Sequence, residues 1–194
     1  MNTSRSARLA RGARAPVFTG TDLFGNSVRL ADYRGRWVLL SFFRNAACAI
    51  CNLRVHEMIQ RFPRYERAGL KILCVFESPD ENLRRYVGRQ EAPFPIIGDP
   101  LARLYDLYGL ETSEEKVKEM LSVPLVQERA QAAAAAGFPL TPEQGSNFYR
   151  LHGDFLIDPE GILREAFYAE LVGVHLGFDV IDSTLGLEPL GLSR

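Results

Sequence analysis

The chain has 194 residues, of which 46% are hydrophobic and 24% are charged, as is usual for a globular protein with a substantial core. Its formal net charge of −1 argues against electrostatic binding to nucleic acid or acidic membranes, so we expect neither as a partner. No apolar run approaches the roughly 20 residues that span a bilayer. Three cysteines are too few for a disulfide framework, which favours a reducing cytoplasm.

The first fourteen residues form a basic segment, with four arginines and no acidic residue. An arginine-rich, acid-free start is found in organelle transit peptides, and the simpler alternative is a short flexible arm. We favour the arm. The predicted organisation is therefore a basic arm at residues 1–14 and a single domain at 15–194.

Up to residue 110 the apolar pattern alternates between strand-like and helix-like segments. Two nearly unbroken apolar runs, at 37–43 and 70–77, predict buried strands with a helix between them. This order implies a right-handed crossover and a parallel pair of strands. The predicted elements in chain order are a hairpin about Gly25-Asn26, the strand 37–43, a helix from near Cys48 to Pro63 or one turn later, the strand 70–77, a helix 79–87, a short strand 94–97 and a helix from Leu101 that stops at Gly109.

Residues 111–145 interrupt this alternation. The stretch SEEKVKEML and the alanine-rich VQERAQAAAAAG predict helices, because alanine has the highest helix propensity. A low-complexity linker is the alternative for the alanine run. The segment is too short for a core of its own, so we predict a helical insertion within one domain.

The end of the chain predicts a hairpin and a helix. In DFLIDPEGILREAF, two apolar segments flank Asp158–Gly161, whose sequence is typical of a tight turn. A final helix is predicted at about 174–185. The chain as a whole is predicted to be α/β.

Cys48 and Cys51 form a Cys-x-x-Cys pair at the predicted junction of a strand and a helix. In a first helical turn, unpaired amides and the helix dipole stabilise a thiolate, which is the reactive form of cysteine. This spacing also lets the two sulfurs approach bonding distance. Arg44 adds a cation that favours deprotonation, and Asn45 is a candidate supporting residue. The pattern predicts a redox-active centre that cycles through a disulfide bond.

Two other interpretations of the pair are a metal site and inert buried thiols. A structural zinc site needs four ligands, and His56, His152 and His175 are scattered without metal-site spacing. We therefore expect no metal and no cofactor. Inert thiols are common in cores, but a pair at this one junction is not favoured by chance. Cys74, alone within an apolar strand, is predicted to be a small buried hydrophobe.

Four pieces of the sequence carry a resemblance to a known family. They are APVFTGTDLFGNSVRLADYRGRWVLLSFFR, the CAIC pair, FPIIGDPLARLYDLYGL and DFLIDPEGILREAFY. In this order they resemble the thioredoxin superfamily and, within it, the AhpC/TSA (peroxiredoxin-like) family, over residues 15–110 and 147–185. The resemblance implies a thioredoxin-like fold, with a central mixed sheet flanked by helices. An N-terminal β-hairpin and a helical insertion before the last hairpin complete the expected architecture.

The resemblance implies two different roles for the same two cysteines. The family's peroxidase motif is Pro-x-x-x-Thr-x-x-Cys, which makes Cys51 the peroxidatic cysteine and Cys48 a neighbouring resolving thiol. In the thioredoxin branch the first cysteine, here Cys48, attacks and the second resolves. The motif's threonine and proline positions hold Cys48 and Arg44, so neither peroxidase residue is present.

Thioredoxin hallmarks are also missing. Trp-Cys-Gly-Pro-Cys is absent, and the buried acid expected six residues before the first cysteine is Phe42. Where the resemblance implies a cis-proline, just before DFLID, the chain has His152 and Gly153. His152 is either a base near the sulfurs or an exposed loop histidine.

The leading hypothesis is a peroxiredoxin-like thiol oxidoreductase with an antioxidant role, which reduces hydroperoxides or disulfides through a Cys48–Cys51 cycle. The expected reductant is a thioredoxin-like protein or another thiol, and the chain could act as a homodimer. One alternative is a thioredoxin-like protein disulfide reductase. Another is a non-catalytic redox sensor or binding module, whose insertion at 111–145 supplies a partner surface or a lid.

Overall fold

The computed structural model describes residues 7–188 of the chain. The strands are β1 (Thr19–Thr21), β2 (Ser27–Arg29), β3 (Trp37–Phe42), β4 (Leu70–Phe76), β5 (Ile96–Gly98), β6 (Gly153–Ile157) and β7 (Leu163–Tyr168). The α-helices are α1 (Ala49–Arg67), α2 (Asp80–Arg85), α3 (Arg103–Leu107), α4 (Glu114–Met120), α5 (Pro124–Ala135) and α6 (Phe178–Thr184). Two 3₁₀ helices lie at Leu30–Tyr33 and Val87–Gln90.

The central sheet has five strands in the order β5-β4-β3-β6-β7, and β1 with β2 forms a separate hairpin. Strands β3, β4 and β5 run parallel, whereas β6 is antiparallel to both β3 and β7. The predicted mixed sheet and both predicted hairpins are therefore present. Strand β3 lies in the middle, and its Ser41 pairs with Cys74 of β4 and with Asp154 of β6.

Both faces of β3 are buried, as its unbroken apolar sequence predicted. Side chains alternate between the two faces of a strand, so Leu39 and Phe43 face one side and Leu40 and Phe42 face the other. The first face packs against the apolar side of α1. The second packs against Tyr105 of α3 and against the N-terminal hairpin region. Because β3 is fixed on both faces, the loop that follows it is held in place at the carboxyl end of this central strand.

Both edges of the central sheet have a neighbouring segment. At the β5 edge, the main-chain N–H of Leu23, which follows β1, donates to the carbonyl of Ile96 at 2.9 Å. At the β7 edge, the N–H of Gly12 donates to the carbonyl of Leu163 at 2.8 Å, and Ala15 bonds to Gly161 at 2.9 Å. Residues 12–15 thus run along the last hairpin.

Within the predicted arm of residues 1–14, residues 8–14 make contacts with the rest of the domain. Besides the main-chain bonds to β7, Arg8 forms ion pairs with Glu111 at 3.2 Å and with Glu170 at 3.0 Å. Arg11 likewise pairs with Glu165 at 3.3 Å, and Arg14 donates to the main-chain carbonyl of Glu160, contacts that composition alone does not reveal. Residues 1–6 of the predicted arm lie outside the described residues.

The insertion contains the two predicted helices, α4 and α5. Helix α5 packs against α1, where Ala133 is buried with Ala49 and Leu53. Arg129 forms a double hydrogen bond with Glu57, at 3.0 and 3.2 Å. The alternative of a low-complexity linker is therefore wrong for the alanine run. Small side chains suit a close approach between two helices.

Some boundaries differ from the prediction. Helix α2 ends at Arg85 and continues as the 3₁₀ turn, two residues short of the predicted end at Val87. Helix α6 begins at Phe178 rather than near Val174, because His175 is held by Asp154 in a segment without regular secondary structure before Gly177. None of the described helices is long and apolar enough to cross a membrane.

Candidate active site

Cys48 and Cys51 lie in the first turn of α1, as predicted. Cys48 is the N-cap residue, with extended backbone angles, and its Sγ accepts a hydrogen bond from the Cys51 N–H at 3.4 Å. This bond satisfies one of the amides that a helix start leaves unpaired. Both thiols are free, with 8% of Cys48 and 3% of Cys51 exposed. The pair is thus reduced, adjacent and largely shielded.

The two thiols differ strongly in acidity. A hydrogen bond from the Cys51 thiol lowers the pKa of Cys48 from its ordinary 9.0 to about 6, against the opposing effect of burial. The charge of Arg44 and the first amides of α1 act in the same direction. Burial and the neighbouring Cys48 sulfur raise the pKa of Cys51 well above its ordinary value. Near neutral pH, the site therefore holds a thiolate at Cys48 and a neutral thiol at Cys51.

Arg44 is buried directly after β3, at the start of the loop that leads to Cys48. Its guanidinium donates to the carbonyl of Phe148 and lies 4.7 Å from the centre of that residue's ring. Its Nε–H has no hydrogen-bond partner within residues 7–188. Asn45 is also buried, and its carbonyl accepts the Cys48 N–H at 3.2 Å. Both residues predicted beside the pair do lie there.

A cavity of about 370 Å³ opens beside Cys48. Its walls are Arg44, Asn45 and Cys48 on one side and part of the segment 139–148 on the other. We call this segment, which follows α5 in the insertion, the strap. Cys51 does not line this cavity. The site therefore presents only the sulfur with the lowered pKa to the space that a small molecule can enter.

Several hydrogen bonds hold the strap, and two of them are accepted by the carboxylate of Glu143. Glu143 Oε2 accepts the main-chain N–H of Ala47 at 3.0 Å, and its Oε1 accepts from Asn82 Nδ2 at 2.8 Å. Farther along, Asn147 donates to Glu77 at 3.2 Å. Sequence reasoning missed Glu143, because nothing about a glutamate some 90 residues from the pair marks it in the sequence. The predicted insertion covers the site through this residue.

A second set of polar residues fixes the loop between β3 and α1. The Ala46 N–H donates to Ser78 Oγ at 2.9 Å. Asn52 Nδ2 donates to the carbonyls of Ala46 at 2.8 Å and Cys48 at 3.0 Å, while its Oδ1 accepts from Gln90 at 3.0 Å. Asn52 was not identified from the sequence, although it directly follows Cys51. The available signal was an asparagine immediately after the Cys-x-x-Cys pair.

His152 is buried and bonded within the protein, so its interpretation as an exposed loop histidine is wrong. Its Nε2 donates to the carbonyl of Val174 at 2.7 Å, and its ring lies 4.2 Å from that of His175. Burial and the neighbouring histidine lower the pKa of His152 to about 3. It is therefore neutral at physiological pH, and its ring N–H is already used.

A buried acid lies beneath the site, although Phe42 occupies the position where thioredoxins carry theirs. It is Asp154, on the neighbouring strand β6, which accepts from His175 Nδ1 at 3.0 Å and from the Leu176 N–H at 2.9 Å. Burial acts to raise its pKa, but His175 and Arg54 outweigh this and lower it. No local pattern marks this pair, because its members come from β6 and from the segment before α6.

Cys74 is fully buried in β4, and burial raises its pKa well above the ordinary value. It is a small core residue, as predicted. Its raised pKa keeps the thiol protonated, and a protonated thiol is unreactive. Among the described residues, no group of three or more histidine, cysteine or acidic side chains is arranged to hold a metal ion.

The family model described as AhpC/TSA family matches residues 11–166. The chain belongs to the AhpC/TSA family. A provisionally named peroxiredoxin of Mycobacterium tuberculosis is 31% identical over 106 residues, which are 55% of this chain and 68% of the relative. The thiol-disulfide oxidoreductase ResA of Geobacillus thermodenitrificans is 34% identical over 103 residues, which are 53% of this chain but only 59% of ResA.

Solved structures confirm the thioredoxin-like fold of this AhpC/TSA protein. Peroxiredoxin Q of Xanthomonas campestris superposes with a TM-score of 0.59 at 16% identity and covers 87% of each chain. The thioredoxin domain of a thiol-disulfide oxidoreductase from Bacteroides vulgatus gives a TM-score of 0.54 at 20% identity, covering 91% of this chain and 99% of the other. Family membership and the Cys48–Cys51 pair together support a thiol oxidoreductase.

Proposed function

We propose that the protein reduces hydroperoxides with Cys48 as the attacking thiolate and Cys51 as the resolving thiol. One observation carries this proposal: Cys48 borders the cavity and has a pKa of about 6, whereas Cys51 is more deeply buried and has a raised pKa. The assignment reverses the order implied by the peroxidase motif, which would make Cys51 the first to react. A cytoplasmic location, where thiols are kept reduced, is part of the proposal.

The reaction has two steps. The Cys48 thiolate attacks the terminal peroxide oxygen, so an S–O bond forms and the O–O bond breaks. The leaving alkoxide takes the Cys51 thiol proton and departs as an alcohol. The Cys51 thiolate then attacks the sulfenic sulfur of Cys48, an S–S bond forms, and hydroxide leaves and is protonated by solvent. Two electrons pass from the sulfurs to the peroxide.

Arg44 supports both the thiolate and the substrate. Its charge contributes to the low pKa of Cys48, and its side chain lines the same cavity. Because Arg44 lines the cavity, its guanidinium is placed to donate to a peroxide oxygen as negative charge develops there. This donor would take the part that the missing threonine and proline play in the family motif.

The size of the opening favours a hydroperoxide over a protein disulfide. The strap leaves only 8% of Cys48 exposed, and the cavity beside it measures about 370 Å³. A small molecule fits such a space, whereas a folded protein would have to displace the strap.

A second candidate is a thioredoxin-like protein disulfide reductase. It is favoured by the acidity of Cys48, because the first cysteine of the pair is the nucleophile in the thioredoxin branch. The relative named thiol-disulfide oxidoreductase is consistent with this candidate. It requires that the strap open.

The test is stopped-flow consumption of hydrogen peroxide and of an organic hydroperoxide. Cys48→Ser should abolish peroxide reduction, and Cys51→Ser should stop after one turnover with a sulfenic acid at residue 48 that dimedone traps. Cys74→Ser is the matched control and should behave as the wild type. Equal activity in all variants would exclude a role for Cys48 and Cys51 in peroxide reduction. Disulfide reduction without peroxide turnover would support the second candidate.

A further inference from the structure

A cavity of about 490 Å³ lies between α1, α5 and the start of α6, and we call it the α6 cavity. Its walls share no residue with those of the cavity beside Cys48. Three of the described residues that line it are arginines, and they share the walls with one acidic residue and one aromatic ring. These are Arg54, Arg61, Arg129, Glu57 and Phe178. The α6 cavity is therefore rich in positive charge and separate from the redox site.

Arg54 places a buried charge in the wall of the α6 cavity. Only 5% of its side chain is exposed, and its guanidinium donates to the carbonyl of Leu176 at 2.7 Å. The Glu57 carboxylate lies 3.9 Å from this guanidinium, which is too far for a hydrogen bond. Burial lowers the pKa of Arg54, against the opposing charge of Asp154. A buried charge without a close partner is costly, so an anion beside Arg54 would stabilise the folded chain.

The carboxylate in these walls is already paired. Glu57 accepts two hydrogen bonds from Arg129, at 3.0 and 3.2 Å, and the two bonds use both of its oxygens. This paired geometry is the strong form of an arginine–carboxylate contact, and it leaves Glu57 little capacity to neutralise Arg54 as well. One carboxylate therefore serves two guanidinium groups, and positive charge remains uncompensated at the cavity wall.

Arg61 adds a third cation, which has no carboxylate partner within residues 7–188. Its guanidinium carbon lies 4.2 Å from the centre of the Phe178 ring, and that of Arg54 lies 3.6 Å from the same centre. The ring therefore holds two guanidinium groups close to each other. Arg61 also borders a neighbouring cavity that contains Asp179 and Asp182, and among the described residues it forms an ion pair with neither. The donors of Arg61 thus remain available to an anion.

We propose that the α6 cavity binds a phosphate group, as the free ion or as the monoester of a small molecule. A guanidinium fork matches the oxygens of a phosphate, and Arg54 and Arg61 both lack a carboxylate at hydrogen-bond distance. A phosphate monoester offers three acceptor oxygens and a charge of about −2, so it can pair with several guanidinium groups at once. A single carboxylate has fewer oxygens and half the charge. The cavity volume falls within the range of about 300–1,000 Å³ that is usual for small-molecule sites.

The test is isothermal titration calorimetry of the full-length protein at constant ionic strength in a phosphate-free buffer. The probes are inorganic phosphate, glycerol 3-phosphate and malonate, a dianion that has carboxylates instead of a phosphate. Arg61→Gln should weaken the binding of both phosphates roughly tenfold, because it removes a charged hydrogen bond. Arg61→Lys, which keeps the charge but not the planar fork, should have an intermediate effect. The control is Arg36→Gln, which removes an exposed arginine that does not line the cavity.

The outcomes separate this site from simple charge attraction and from the redox chemistry. Tighter binding of glycerol 3-phosphate than of inorganic phosphate would identify a monoester as the ligand, and equal binding the free ion. Equal affinities in the wild type and Arg61→Gln, an equal loss in Arg36→Gln, or malonate binding as tightly as the phosphates would overturn the proposal. The double variant Cys48→Ser/Cys51→Ser should bind phosphate as the wild type does, because neither cysteine lines the α6 cavity. Phosphate binding is thereby tested independently of peroxide reduction.

Discussion

The carboxylate of Glu143 accepts the main-chain N–H of Ala47 at 3.0 Å, so the insertion is attached to the residue immediately before Cys48. The same side chain accepts from Asn82 at 2.8 Å, just inside α2. Glu143 therefore joins three separate parts of the chain at the mouth of the site. Its loss should free the strap and leave the main-chain N–H of Ala47 unpaired.

Replacing Glu143 should increase access to Cys48. Two hydrogen bonds of about 1 kcal/mol each hold the strap closed through this side chain, so Glu143→Ala should accelerate labelling of Cys48 by a bulky maleimide by up to roughly thirtyfold. Glu143→Gln retains one acceptor and should show a smaller increase. Glu128→Ala, an exposed glutamate of α5, is the control. An unchanged labelling rate in Glu143→Ala would mean that the strap is held by other contacts.

The reactivity of Cys48 should follow its low pKa. Alkylation of residue 48 by iodoacetamide, measured by mass spectrometry against pH, should reach half its plateau at about pH 6, since only the thiolate reacts and the thiolate fraction falls below that pH. Cys51→Ala should move the midpoint upward most, because it removes the largest stabilising contribution. Arg44→Gln should move it upward by less. A midpoint near the ordinary value of 9.0 in the wild type would contradict the assignment of Cys48 as the thiolate.

His152 should make the protein less stable in mild acid. Its pKa is lowered to about 3 in the folded protein, whereas an unfolded histidine titrates near 6.5. Between these values the unfolded chain binds the additional proton, so the free energy of unfolding decreases as the pH falls below about 6.5. For this group alone the loss is roughly 2 kcal/mol between about pH 7 and pH 5.

The measurement is urea unfolding across that pH range. His152→Gln can still donate to the Val174 carbonyl but cannot titrate, so its free energy of unfolding should depend less steeply on pH. His56→Gln, a partly exposed histidine of α1, serves as the control. The same slope in the wild type and in His152→Gln would assign the pH dependence to other groups, such as His175, whose pKa is also lowered.

Gly153, which stands where the resemblance implied a cis-proline, should not tolerate a side chain. A Cβ there would lie 2.7 Å from Leu110 Cδ2 and 2.8 Å from the carbonyl oxygen of Phe167. Since the carbonyl belongs to the sheet and cannot move freely, Gly153→Ala should lower the free energy of unfolding by roughly 2 kcal/mol. Thermal unfolding measures this, and a melting temperature equal to that of the wild type would show that β7 can shift.

The sequence was informative where the relevant residues are close together along the chain. Arg44, Asn45, Cys48 and Cys51 lie within eight consecutive positions, and one strand-to-helix junction places them together. Glu143 and Asp154 come from distant segments, so their roles depend on tertiary packing that local periodicity does not encode. The contacts of the basic segment could not be predicted for the same reason, since the carboxylates that bind Arg8 lie more than 100 residues away.

The identity of the attacking cysteine is another property that depends on tertiary packing. The spacing of the pair allowed either cysteine to attack, because motif counting and the thioredoxin analogy assign opposite roles. The difference in pKa arises from details that spacing does not contain: which sulfur caps the helix and which lies deeper in the core. Those details depend on the packing of α1 against the sheet and on the position of the strap.

The two segments that bond to the outer strands of the central sheet, β5 and β7, also affect how copies of the protein can associate. An exposed strand edge is a template for pairing with a strand of another molecule, which is a common route to aggregation. Here the segment after β1 bonds to β5, and the start of the chain bonds to the first residue of β7. A homodimer would therefore form through helices and loops more readily than through a sheet continued across two subunits. Removing the first fifteen residues should make the protein more prone to aggregate.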